Sequence, residues 1–183
     1  MSYKGSFLVW LDLEMTGLDP KRDKIIEIAT IVTDQSLKMI KQGPSIIIKQ
    51  EESLLKSMDN WNTAQHKKSG LYERVLKSSI SCKMAEEETI QFLENLVNKN
   101  SSPMCGNSIY QDRIFLKKYM PTLENFFHYR NIDVSTLKEL VKFWKPDLYE
   151  KFKKKSKHIA LEDIKESISE LIFYKKILFD NNN

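Results

Sequence analysis

The chain has 183 residues, 41% of them hydrophobic and 30% charged, and a net charge of +4. That length suits one domain burying roughly 70% of its unfolded surface, so a core needs no disulfide or metal staple. Cys82 and Cys105 form no Cys-x-x-Cys pair, which points to a reducing cytoplasm, and the mild charge permits polyanion binding without arguing for it.

The first apolar run, from Phe7 to Met15, reads as a strand buried on both faces. It is too short before Asp12 for a signal or membrane segment. Asp12 and Glu14 stand two residues apart, and such residues of a strand point to one side. Desolvated like charges that close are strongly unfavourable unless one is protonated or a cation neutralises both. The pair therefore points to a divalent-metal site. A solvated pair at a strand end is the alternative, and the apolar surroundings argue against it.

Further strands are expected near 25–34, 38–48, 103–106 and 130–134. Helices are expected over about 52–57, 61–67, 70–77, 83–98, 109–119, 136–143 and 160–178. Ala85, Thr89, Phe92, Leu93, Leu96 and Val97 recur at helical spacing, as do Leu161, Ile164, Ile168, Leu171 and Ile172. Thr136 with Glu139 forms a capping box. Three early strands followed by alternating helix and strand read as α/β, a mixed central sheet flanked by helices. No repeat or linker divides the chain. Residues 1–183 are expected to form a single domain, ordered over about 7–179 with a frayed polar tail at 180–183.

More carboxylates come later. Asp112 follows the turn Gly106-Asn107-Ser108 and enters a helix, where alone it would be an ordinary first-turn residue favoured by the helix dipole. Asp163 opens the last helix, and its neighbour Glu162 competes for the same role. Adjacent helical residues point about 100° apart, so at most one of the two faces a site well. Carboxylate ligation suits Mg²⁺ or Mn²⁺ rather than zinc, and four carboxylates are what two-metal phosphodiester hydrolysis requires. His158 is the candidate general base, since an imidazole titrates near neutrality; a capping or loop histidine is the alternative. The lysine-rich run before it, Lys151 to Lys157, reads as a solvated loop or a phosphate-steering one.

The order Asp-x-Glu, Asp, then His-x-x-x-x-Asp resembles the DEDDh 3′-to-5′ exonucleases, whose spacing selects Asp163 over Glu162. The stretches Trp10 to Pro20, Ile25 to Thr30, Cys105 to Ser108 and Asp133 to Leu140 are similar to the oligoribonuclease branch of that family. The similarity runs from about Phe7 to about Phe179. It implies a ribonuclease-H-like fold and an exoribonuclease that degrades short single-stranded RNA, down to dinucleotides, to nucleoside 5′-monophosphates. It also implies two Mg²⁺ or Mn²⁺ ions held by Asp12, Glu14, Asp112 and Asp163, with His158 activating the water.

Leu18 and Trp61 are candidates for stacking on bases, with core packing as the alternative. Ser135 and Thr136 open a helix whose free amides, with hydroxyls and Arg130, would cradle a phosphate, and Ser108 and Gln111 could add to it. The resemblance implies that this cradle caps the 5′-phosphate and that Tyr129 reaches into a partner subunit's site in a homodimer. His66 reads as a substrate contact or a surface histidine. Two other readings stay open: a nuclease trimming longer 3′ ends, such as a ribonuclease T-like or proofreading enzyme, and a non-catalytic nucleic-acid-binding module.

Overall fold

The computed structural model describes residues 7–152 and 158–179. Most of the lysine-rich run, 153–157, and the polar tail at 180–183 lie outside the described residues. Among the described residues the chain forms β1 (Leu8–Met15), β2 (Ile25–Thr33), β3 (Met39–Ile47), α1 (Glu52–Lys56), α2 (Asn60–Lys68) and α3 (Leu71–Lys77). It continues through α4 (Cys82–Glu94), β4 (Met104–Gly106), α5 (Ile109–Tyr119), α6 (Pro121–Glu124) and β5 (Asn131–Asp133). It ends in α7 (Val134–Trp144), α8 (Pro146–Tyr149) and α9 (Ala160–Leu178).

The strands form one mixed sheet in the order β3-β2-β1-β4-β5. β1, β2 and β3 run antiparallel to their neighbours, while β4 pairs parallel with β1 and β5 parallel with β4. β1, β4 and β5 therefore release their chains at one end of the sheet. In α/β sheets ligand sites gather at that carboxyl end, where loops rather than ladders follow.

Alternation along β1 sorts its residues between two cores. Val9, Leu11 and Leu13 join the cluster built with Ala85, Leu93, Phe115, Leu116 and Leu123. Trp10 packs on the other face with Ala29, Ile31, Val134, Val141, Ala160, Ile164 and Tyr174. Its buried indole N–H donates to Thr33 Oγ1 at 3.0 Å, so the largest core side chain leaves no polar atom unsatisfied. Asp12 and Glu14 continue the Trp10 row and face α9. β2 is buried along its whole length, and Glu27 stands opposite Glu14 in the ladder.

Two helix ends differ from the sequence expectation. α7 starts at Val134, not near Thr136, because the Asp133 side chain accepts the Ser135 amide at 3.0 Å. A carboxylate three residues before Thr136 thus takes over from the Thr136–Glu139 capping box. α4 stops at Glu94, and Leu96 and Val97 turn back onto the Leu93 carbonyl. Two short helices, α6 and α8, each open with proline and were not anticipated. No described helix is long and apolar enough to cross a membrane.

Gly106, at the end of β4, lies so close to β1 that a Cβ there would sit 2.9 Å from the Leu11 carbonyl oxygen and 2.8 Å from Ile109 Cδ1. Gly106→Ala should therefore push β4 from β1 and cost about 1–3 kcal/mol. Thermal unfolding should register a fall of several degrees, on the order of 2–4 °C per kcal/mol for a chain of this size. An unchanged midpoint would contradict this packing account.

Candidate active site

The carboxyl end of β1 carries the chemistry. Among the described residues, ligand atoms of Glu14, His158 and Asp163 lie within 4.8 Å of one another. Asp112 enters from the first turn of α5, buried, and its Oδ1 accepts the Leu13 amide at 2.9 Å. This bond places Asp112 beside Asp12 and Glu14 on the same strand. Glu162 turns away to pair with Lys165 at 2.8 Å, which leaves Asp163 as the carboxylate of that pair in the cluster.

Burial first, and then mutual repulsion, pushes these acids toward their neutral forms. Asp12 is raised well above the ordinary carboxylate range by burial, with Asp112, Glu14, Asp163 and Glu27 adding to the effect. Burial, then Asp163, Glu27 and Asp112, raises Glu14 to about 8, and Arg74 pulls the other way. Asp112 is raised to about 7 by burial, opposed by the amide hydrogen bond from Leu13. Converging, desolvated carboxylates with an imidazole beside them form a hard-oxygen donor set with excess negative charge. That set fits a divalent cation such as Mg²⁺ or Mn²⁺.

The loop after β1 is tied around Asp23. Its carboxylate accepts the Thr16 hydroxyl at 3.2 Å and the Asp19 amide at 2.9 Å. At Gly17 an added Cβ would meet that carboxylate at 2.5–2.8 Å, so the loop closes this tightly only with glycine there. The loop leaves Leu18 70% exposed, and Gln111 Nε2 anchors it by donating to the Leu18 carbonyl at 2.8 Å. Trp61, on α2, is 59% exposed and meets the His158 ring edge-on with centroids 5.4 Å apart. Neither Leu18 nor Trp61 is a core residue; both stand open beside the carboxylates.

His66 is not a surface histidine. It is 3% exposed, and its Nε2–H donates to the Met15 carbonyl at 2.9 Å. Nδ1 is then a buried acceptor with no hydrogen-bond partner among the described residues, 4.0 Å from Glu14 Oε2. Burial lowers the His66 pKa, keeping the ring neutral.

On the other side of Asp112, Ser108 holds a left-handed conformation (φ 49°) that brings its hydroxyl to 3.1 Å from that of Ser135. Of the amides expected to be free at this helix start, that of Ser135 is taken, because Asp133 Oδ1 accepts it together with the Ser108 N–H. The hydroxyls of Ser108 and Ser135, with exposed Thr136 beside them, are what this pocket offers. Arg130 and Tyr129 lie at the opposite end of β5 from Ser135, with the guanidinium 5.3 Å from the Tyr129 ring centroid and Tyr129 73% exposed. Arg113 fixes that corner through the carbonyls of His128, Tyr129 and Arg130.

Glu27, Asn107 and Asp133 bond residues around the site, though motif reading did not single them out. Asn107 bonds Ser167, Glu170 and Ser135, joining α9 to the serine pair. The signal for Glu27 was present, since it is an acid inside a largely apolar strand, as Asp12 and Glu14 are.

With this geometry established, comparison with known proteins is informative. The RNase_T family model, an exonuclease domain, matches residues 9–171. The oligoribonuclease of Alcanivorax borkumensis is 56% identical over 180 residues, covering 98% of this chain and 99% of that one. Those of Legionella pneumophila and Pseudomonas aeruginosa are each 59% identical, covering 92% of this chain and 90% and 93% of theirs. Among solved structures, Escherichia coli exonuclease I in complex with a dA16 oligonucleotide aligns with a TM-score of 0.73 at 14% identity. The alignment covers 96% of this chain and 42% of that one, and the likeness is one of fold.

Carboxyls whose pKa rises on folding take up protons as the chain folds, so the native state loses stability as pH climbs through their window. For Glu14 and Asp112 that window runs from about 4 to about 8. His66 acts in the opposite sense below about 6.5, so the effect is cleanest above that pH. Metal-free protein should therefore melt lower at pH 8 than at pH 6.5. Saturating Mg²⁺ should restore roughly 5 °C or more at pH 8, and less at pH 6.5. A midpoint indifferent to both pH and EDTA would be inconsistent with the cluster.

Proposed function

The chain belongs to the DEDDh exonucleases, in their oligoribonuclease branch, and on that premise we propose that it removes nucleotides from the 3′ end of short RNAs, dinucleotides included. The products are nucleoside 5′-monophosphates, and residues 7–179 act as one exonuclease domain. The observation that carries the chemistry is the convergence of Glu14, Asp163 and the His158 imidazole at the end of β1.

In this reading Asp12, Glu14, Asp112 and Asp163 hold two Mg²⁺ or Mn²⁺ ions. When bound, the ions neutralise the phosphodiester's charge, make water easier to deprotonate and stabilise the leaving 3′-oxygen. His158 takes the proton of the attacking water on its imidazole nitrogen. His66, neutral and bonded to the Met15 carbonyl, keeps Glu14's side of the strand end in place beside the substrate. Leu18 and Trp61 stack on the bases, worth roughly 1–3 kcal/mol per base for an aromatic and tolerant of any sequence.

Ser108, Ser135 and Thr136 receive the 5′-phosphate, and Gln111 holds the Leu18 loop over the bound bases. Two limits close to the carboxylates, apolar on one side and hydroxyl on the other, support a short pocket rather than an open channel. Arg130 contributes charge to phosphate binding from the Tyr129 corner. The exposure of Tyr129 and its distance from Ser135 support its action across a homodimer, in the partner subunit's site. The unpaired Cys82 and Cys105 support a cytoplasmic setting.

A 5′-phosphorylated diribonucleotide, a 7-mer and a 20-mer should be compared with Mn²⁺ and with EDTA. The dimer should turn over fastest, and EDTA should abolish cleavage. Efficient trimming of the 20-mer with the dimer left intact would refute the closed pocket and favour a trimming nuclease. Asp112→Asn keeps the acceptor for the Leu13 amide, so the variant should stay folded while kcat falls at least about a hundredfold. Near-parental turnover would remove Asp112 from the metal set.

A further inference from the structure

We propose that Glu27 is a positioning residue: its carboxyl group, reaching across from β2, holds the first turn of α9 and thereby sets His158 and Asp163 in register with Glu14. The proposal rests on the exonuclease reading for the roles of those two residues.

Glu27 is fully buried and directly opposite Glu14, yet its oxygens are engaged away from the ligand cluster. Oε1 accepts the Ser45 hydroxyl at 2.8 Å and lies 4.0 Å from the Arg74 guanidinium. Oε2 accepts the backbone N–H of Ala160, the first residue of α9, at 3.4 Å.

That amide is one of the donors a helix start leaves without an internal partner. The N-cap position of α9 is Ile159, which makes no side-chain cap. Glu27 thus performs from a neighbouring strand the service an N-cap carboxylate would perform from within the chain, on the end of the helix that favours negative charge. The position matters because of what flanks it. His158, two residues earlier, is held at φ 50°, a left-handed conformation that a non-glycine residue keeps only when its surroundings determine it. Asp163, three residues later, lies on the same helix face as Ala160. β2 is buried throughout, so Glu27 provides a rigid anchor for both.

Reach and charge can be separated with two conservative variants. Glu27→Asp keeps the charge but is one methylene too short to bond Ser45 and Ala160 together. Glu27→Gln keeps the reach and an acceptor oxygen but loses the charge. Amide hydrogen exchange on the metal-free protein reports the helix start without any dependence on catalysis. In Glu27→Asp the amides of 160–163 should exchange about tenfold faster than in the parent. Its kcat on a short oligoribonucleotide should fall about ten- to a hundredfold, with KM within about threefold. Glu27→Gln should stay within about threefold of the parent in both measurements. The reverse ranking would overturn the proposal, as would a Glu27→Asp variant whose exchange at 160–163 is unchanged. Failure of the parent to cleave RNA would instead count against the exonuclease reading, with the exchange result still deciding the role of Glu27.

Discussion

The organising constraint is repulsion among carboxyl groups gathered where water screens them only in part. Burial raises Asp12, Glu14 and Asp112, and neighbouring carboxylates add to it, Asp133 in the case of Asp112; Arg74 offsets part of this at Glu14. A sequence under selection for stability alone would put apolar residues there, because a buried unpaired charge is among the most expensive features of a fold. The cluster is sustained by the rest of the domain: a strand buried on both faces, two cores, and the Leu13 amide that holds Asp112 in place. A divalent cation is the one partner that turns this arrangement from a liability into a site.

The scaffold meets that demand through topology. Parallel pairing of β1, β4 and β5 brings three chain exits to one end of the sheet. The Leu18 loop, the Ser108 turn and the start of α7 are these exits. Each carries one element of the candidate site, and cross-links stitch them together: Gln111 to Leu18, Ser135 to Asn107, and Asp133 to Ser108. α9 closes the site from the side, with its start held by Glu27 and its interior by the Asn107–Ser167–Glu170 contacts. Substrate geometry is thereby coupled to the same hydrogen-bond network that stabilises the core.

Much of this was legible in the residues. Acids in an apolar strand, two residues apart, revealed the face and end of β1 before any fold was known. The period of α9 located its helix within the observed bounds. What remained hidden depended on contacts distant in sequence. Asp133 as the cap of α7 was masked by the Thr136–Glu139 pattern, which is locally just as good. The same carboxylate takes up the Ser135 amide, which a local reading would offer to a phosphate. The burial of His66 is set by the Met15 carbonyl, 51 residues away, and helix α2 itself reads as polar. Arg130 is near Ser135 in sequence but separated from it by the length of β5, which a list of neighbouring residues does not convey.

The most direct test of the central constraint is calorimetric titration of the metal-free protein with Mn²⁺ at pH 7, repeated in buffers of different ionisation enthalpy. Carboxyls held partly neutral by burial and repulsion must release their protons to a cation. Saturable binding with net proton release into the buffer is therefore the predicted result. Binding without proton release, or no saturable binding, would contradict the account of the β1 carboxylates as a metal site poised by mutual repulsion.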